Sequence, residues 1–436
     1  MKFEQSRSWV PLVGLFLLTV FQLLGLATVP FHPDEVSLLY QSRDFEAWLR
    51  DPASLAWSPS RSGDAQQQYR LLNAPLPKYV LGFGRWLAGV GQEEVAVDWD
   101  WSQDWDANLE RRALPSDTAL AAGRAASTLL LPAATVFLYR AGRKLGGPSV
   151  GLLAALLLGI NSLVLLHARR AMAEGSLVFA ISLALWGILE ADRHPWLAGL
   201  GTALALAAKH SALPLLPVGL IAAVWAREPG RGPRRTALAA ALLAAVFLLV
   251  TFALNPLLWS EPIAAVGAIV KARTSLVQDQ IQAQGIAENL VIPLPLQGSD
   301  RLAVFLAHLF LAPPQFEEIG NYHEQLRPSV DTYLSIPGHE LLRGWLIGGL
   351  ILGATVAGLA LGLAKLRTAT REQSRSLSLL LLATGLQALT LFVGIPLPYQ
   401  RYYVPLVPFV CLWLAFAIIQ LSQEIRKLPF VRAASG

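Results

Sequence analysis

Apolar runs long enough to cross a bilayer recur along this chain, and no other feature limits its fold as strongly. A helix needs about 20 consecutive apolar residues to span the hydrocarbon. Candidate spans are 9–29, 118–139, 149–166, 176–189, 196–208, 212–225, 237–259, 346–364, 377–395 and 404–421, several of them short. The first is longer than the apolar core of a signal peptide and has no Ala-x-Ala cleavage site, so it reads as an uncleaved span. Composition agrees: 54% of residues are hydrophobic and 15% charged, a membrane composition and not that of one large soluble core. The expected fold class is an all-α polytopic membrane protein with about ten transmembrane helices. Cys411, the single cysteine, lies inside an apolar run, which excludes a disulfide framework and a cysteine-based metal site.

A net charge of +5 would suggest nucleic acid in a soluble protein, but in a membrane chain sidedness is read first. With the N-terminus in the cytoplasm, Lys2, Arg7, Arg140, Arg143, Lys144, Arg193, Arg234, Arg235, Lys365, Arg367, Arg426 and Lys427 all fall on the inner side. Both termini are then cytoplasmic, nucleic acid is not an expected partner, and two long segments, 31–117 and 260–343, lie outside. Four cations are stranded on the outer face: Arg169, Arg170, Lys209 beside His210, and Arg401. Taken singly, each is explained by snorkelling or by a local acid such as Glu174. Taken together they favour a site for an anionic lipid headgroup, with Arg as a bidentate fork and Lys as a point charge.

Phe31-His32-Pro33-Asp34-Glu35 stands where the first span ends. A carboxylate emerging at a membrane surface is solvated, paired or used, so the position is itself a functional hypothesis. Pro33 followed by two acids is also ordinary capping of a helix N-terminus, and both readings stand. Farther along, Tyr79, Phe83, Trp86, Leu87 and Val90 recur at helical spacing, as in an interfacial helix with its aromatics at headgroup level. Asp98-Trp99-Asp100-Trp101 and Asp104-Trp105-Asp106 alternate acids with aromatics, which suits sugar stacking but more simply suits interfacial anchoring. The second outer segment holds a polar stretch at 271–289 and an apolar run at 302–311 too short to span. Asn321-Tyr322-His323-Glu324-Gln325 follows, where His323 and Glu324 offer a metal-ligand or acid/base pair.

The order of these features resembles the GT-C glycosyltransferases, specifically the family of protein O-mannosyltransferases and lipid A aminoarabinose transferases. Phe31-His32-Pro33-Asp34-Glu35 looks like the family's first-loop Asp-Glu motif, and Asn73-Ala74-Pro75-Leu76-Pro77-Lys78 is similar to its His-Pro-Pro-Leu-Gly-Lys pattern. Gly123-Arg124-Ala125-Ala126-Ser127 resembles the second helix, and Arg169-Arg170-Ala171-Met172-Ala173-Glu174 the second outer loop, with Glu where Asp is commoner. Ala208-Lys209-His210 follows the Lys after the fifth helix, and Gln400-Arg401-Tyr402-Tyr403-Val404-Pro405 the Arg-Tyr-x-x-Pro lead into the last. The chain is shorter than the mannosyltransferases and has no appended soluble domain, which turns the expectation away from a peptide acceptor.

The resemblance implies transfer of a sugar from a polyprenyl-phosphate donor to a glycan, lipid or protein hydroxyl, with inversion. The short, domain-poor architecture adds the expectation of a site facing the periplasm or exterior of an inner (plasma) membrane. It implies Asp34 as the base, with Glu35 orienting a substrate or helping to hold a divalent metal ion, a cofactor the sequence leaves open. Lys78, Arg169, Arg170, Lys209, His210, Arg401 and Tyr402 are the expected substrate-binding residues, with Glu174, His323 and Glu324 beside them. A polyprenyl-lipid flippase or transporter is the alternative. It predicts an internal repeat and a polar path across the helices, whereas the polar residues here gather at one face.

Overall fold

The computed structural model describes residues 10–225, 232–285, 294–317 and 322–426, and among these there is no strand. After α1 (Val10–Leu24) come five short helices, α2 (Pro33–Gln41), α3 (Asp44–Arg50), α4 (Ala65–Leu72), α5 (Pro75–Leu87) and α6 (Trp105–Glu110). The rod formed by α7 (Asp117–Thr128) and α8 (Leu130–Gly146) leads into α9 (Pro148–Gly159) and α10 (Ser162–Arg169), then α11 (Glu174–Glu190), α12 (Pro195–Ala208), α13 (Leu215–Val224) and α14 (Pro233–Leu254). Next are α15 (Pro262–Gly285), α16 (Gly298–Leu306) and α17 (His323–Leu334), and the described chain ends with α18 (Trp345–Lys365), α19 (Arg371–Gly394) and α20 (Val407–Ile425).

This is an all-α, multi-pass membrane protein. Among the described residues five helices are long and apolar enough to cross a membrane, or six if α9 and α10, bent by 58°, count as one span. The remaining expected spans fall on the shorter α1, α11, α12 and α13. In the span that includes α20, 78% of the most apolar stretch is buried, against 17% in α14, so α20 lies inside the bundle and α14 presents its flank outward. Small residues bring the helices together: a Cβ on Gly142 would lie 2.8 Å from the Gly151 Cα, and one on Gly201 2.6 Å from the Ala184 Cα.

Buried charges tie helix ends whose carbonyls have no partner in their own helix. Arg375 of α19 donates to Trp225 and Ala222 at the end of α13, both at 2.6 Å, and to Leu189 near the end of α11 at 3.3 Å. In the 31–117 segment α5 leaves Phe83, Trp86 and Leu87 exposed while burying Tyr79 and Leu81, the asymmetry of a helix lying on a bilayer. The 302–311 run is α16 continuing into a single π turn, Ala307–Leu311, with Phe305 packed edge-on against Tyr403 at 5.4 Å. The polar stretch expected at 271–289 is the far half of α15, as far as the described residues reach.

Candidate active site

The site is built from the start of α2. The His32 Nδ1 accepts from the Asp34 N–H at 3.1 Å, and the Glu35 carboxylate accepts from the His32 N–H at 3.0 Å, the reciprocal box that fixes a helix N-terminus. Glu35 is fully buried. Arg124 of α7 grips both of its oxygens, at 2.9 and 2.8 Å, and the Ala171 N–H adds a bond at 2.8 Å. Four donors therefore saturate it. Asp34 points to the other side, its side chain a quarter exposed, and it pairs with Arg401 from the 3-10 turn Gln400–Leu406 before α20.

Arg401 stands over the rings of Tyr399 and Tyr402, 5.8 and 5.7 Å from their centres. Lys209, between α12 and the turn before α13, stands 5.0 Å from the Tyr402 centre and pairs with Glu174 at 3.2 Å. Burial pulls the Lys209 pKa down, and Glu174 acts against that. Asp34, Arg401, Tyr402, Lys209 and Glu174 thus meet from four parts of the chain. His210 follows Lys209 in the turn, half-buried.

Most of the other expected site residues have partners of their own. Arg169 is fully buried and caps the end of α1, donating to Phe21 and Gln22 carbonyls at 2.9 Å each and to the Tyr333 hydroxyl at 3.0 Å. Arg170 donates to the carbonyls of Pro30 at 3.0 Å and Phe316 at 2.8 Å. Lys78 is buried and pairs at 3.4 Å with Asp44, which Arg70 also holds in a fork. His323, 82% exposed, pairs with Glu317 at 2.6 Å, and Glu324 is exposed, so neither bonds to Asp34.

No protein-family model matches the chain, and a search of the curated proteins finds none that match. Solved structures do. The oligosaccharyltransferase of Archaeoglobus fulgidus, tethered to an acceptor peptide, superposes with a TM-score of 0.53 at 13% identity over 96% of this chain and 50% of its own. The same enzyme, AglB, with an inhibitory peptide and a dolichol-phosphate gives 0.50 at 12% identity over 98% and 51%. This chain has the GT-C fold. It spans about half the length of the archaeal enzyme. The S. cerevisiae protein O-mannosyltransferase Pmt1-Pmt2 complex bound to its sugar donor aligns at 0.42 and 16% identity over 59% of this chain and 34% of its own, too loosely to bear on the comparison.

Within this GT-C chain the geometry adds residues that motif reading did not select as site residues. Asp98 accepts from the Ser37 hydroxyl at 2.9 Å and from Tyr69, whose hydroxyl also feels the charge of Asp34, so a second carboxylate stands near the first. Burial raises the Asp98 pKa, with both hydroxyls opposing. Arg124 carried its own signal, since a lone Arg inside an apolar span requires a partner. Among the described residues no three His, Cys, Asp or Glu gather at one point, and the carboxylate facing the site is held by a guanidinium.

Proposed function

We propose that this GT-C protein is an inverting glycosyltransferase that moves a sugar from a polyprenyl-phosphate donor to an acceptor hydroxyl at the outer face of a plasma membrane. The observation that carries this reading is the meeting of Asp34 and Arg401, 367 residues apart, as a partly open pair beside Lys209 and Tyr402. Asp34 takes the acceptor proton as the acceptor oxygen bonds to the anomeric carbon. The bond from that carbon to the phosphate oxygen breaks in the same displacement, and its electron pair leaves on the phosphate. One carboxylate acting in one displacement inverts the anomeric centre and leaves no sugar on the enzyme.

Arg401 and Lys209 are the fixed positive charges for the departing phosphate, and such preset charges act most strongly where water is excluded. In the free protein Arg401 is committed to Asp34. A donor phosphate competes for that guanidinium, so its arrival releases the carboxylate for the acceptor. Glu35, Lys78, Arg169 and Arg170 in this reading hold the loop and helix ends that place the site. A fold shared with an enzyme that binds a dolichol-phosphate supports the donor class, and that enzyme's acceptor peptide puts a peptide among the acceptors to test.

The test is release of polyprenyl phosphate from a panel of radiolabelled polyprenyl-phosphate sugars by the purified protein in lipid, with lipid, glycan and peptide acceptors. One sugar turned over by wild type and not by Asp34→Asn, with donor binding retained, is the expected result. Equal turnover by Asp34→Asn overturns the base assignment. No turnover of any donor overturns the donor class.

A further inference from the structure

His32 is almost wholly buried, yet only half of its imidazole is accounted for. Its Nδ1 accepts the Asp34 N–H, which places the proton of the neutral ring on Nε2. Nε2 is buried and has no partner. A buried donor without an acceptor costs free energy, and such groups in folded proteins point to a missing ligand or water. Around this one, the charges of Arg170 and Arg401 both act on the imidazole. They favour its neutral form and would equally favour an anion beside it. His167, on α10, lies in the same electrostatic neighbourhood with neither ring nitrogen bonded.

We infer that His32 Nε2–H is a preset hydrogen-bond donor to an oxygen of the donor's lipid phosphate, beside Arg401. This rests on the lipid-phosphate reading above and adds a residue to it. The ring does two jobs on its two edges: Nδ1 sets the helix that presents Asp34, and Nε2 binds the group that draws Arg401 away from Asp34. Base and leaving-group site are thereby held in register by one side chain. His32 is neutral throughout and transfers no proton.

The two edges are separable by substitution. Asn places an acceptor near Nδ1 and nothing at Nε2, so His32→Asn keeps the cap, since Asn is a good N-cap residue. Gln reaches a donor to the Nε2 position and forfeits the cap. Binding of polyprenyl phosphate without sugar is measured in nanodiscs against polyprenol, with melting temperature as the control. The expected result is that His32→Asn melts near wild type yet binds polyprenyl phosphate about ten- to a hundredfold more weakly, the range for a hydrogen bond to a charged group. His32→Gln melts lower but retains most of the affinity, and polyprenol binding is unchanged in both.

If His32→Asn binds polyprenyl phosphate as wild type does, while Arg401→Ala does not, the phosphate site stands and the role of His32 is overturned. If wild type binds polyprenyl phosphate no better than polyprenol, the donor reading fails and this inference with it. If Gln and Asn lose affinity equally in proportion to their loss of melting temperature, His32 is a cap alone.

Discussion

The two faces of α2 carry adjacent carboxylates in opposite circumstances. Glu35 faces inward, has no exposed surface and receives four hydrogen bonds, two of them from one guanidinium. Asp34 faces the Arg401 side, is a quarter exposed and is held by a single arginine. A carboxylate whose lone pairs are all engaged in low dielectric is committed to structure, because releasing it would leave a buried charge uncompensated. One that is itself a quarter exposed and held by a single arginine is available to exchange that partner for a substrate. The same contrast divides the cations. Arg169 spends three donors on α1 and Tyr333, whereas Arg401 and Lys209 each face a carboxylate and a tyrosine ring.

The contrast is broken most directly by removing one carboxylate at a time. Asp34→Asn is expected to lower turnover by about 10²–10⁴-fold, the span of general-base effects, with the melting temperature near wild type. Glu35→Ala and Arg124→Ala are expected to behave the other way, each losing about 3–5 kcal/mol of stability because the abandoned partner stays buried. Chemical unfolding in detergent measures the loss. Should Glu35→Ala fold as well as wild type and lose only turnover, the division between the two faces is wrong.

How much of this was legible from residues alone depends on the kind of partner involved. The helical membrane fold was legible because span length and apolarity are local properties. Asp34, Glu174, Lys209 and Arg401 were legible as candidates because charges at membrane boundaries need company, Tyr402 only through the motif it shares with Arg401, and the structure does gather them. The difference between Asp34 and Glu35 was not, since neighbours on a helix point about 100° apart and nothing in the order of residues says which direction meets Arg124. The partners of Arg169 and Arg170 were not legible for another reason. Their partners are mainly backbone carbonyls, which every residue carries and no sequence displays. Lys78 went to Asp44, an acid 34 positions away in a helix with no motif to mark it.

Gly25 sharpens the comparison among the arginines with a smaller effect. A Cβ at this position would come within 2.4 Å of Arg169 Nη1 and 2.5 Å of His339 Nε2. Gly25→Ala therefore displaces the guanidinium that caps α1 and is expected to cost about 1–3 kcal/mol, as overpacking of a filled interior does. Donor binding at Arg401 should be unaffected, because the bonds of Arg169 go to α1 and Tyr333. Weakened donor binding with unchanged stability would return Arg169 to the substrate.

The smallest effect concerns pH, and its sign follows from His32. In the unfolded chain the imidazole takes up a proton as pH falls through about 6.5. In the folded protein burial, then Arg170 and Arg401, hold it neutral well below that value. The unfolded state therefore binds the extra proton, and stability that is fully present above 6.5 is lost as pH falls toward the folded pKa. One such group contributes a slope of at most about 1.4 kcal/mol per pH unit. Stability measured from pH 7 to pH 5 should fall less steeply in His32→Asn, which keeps the cap and has nothing to titrate, than in wild type. Parallel slopes would mean that His32 is protonated in the fold, and a protonated ring has no lone pair on Nδ1 with which to cap α2.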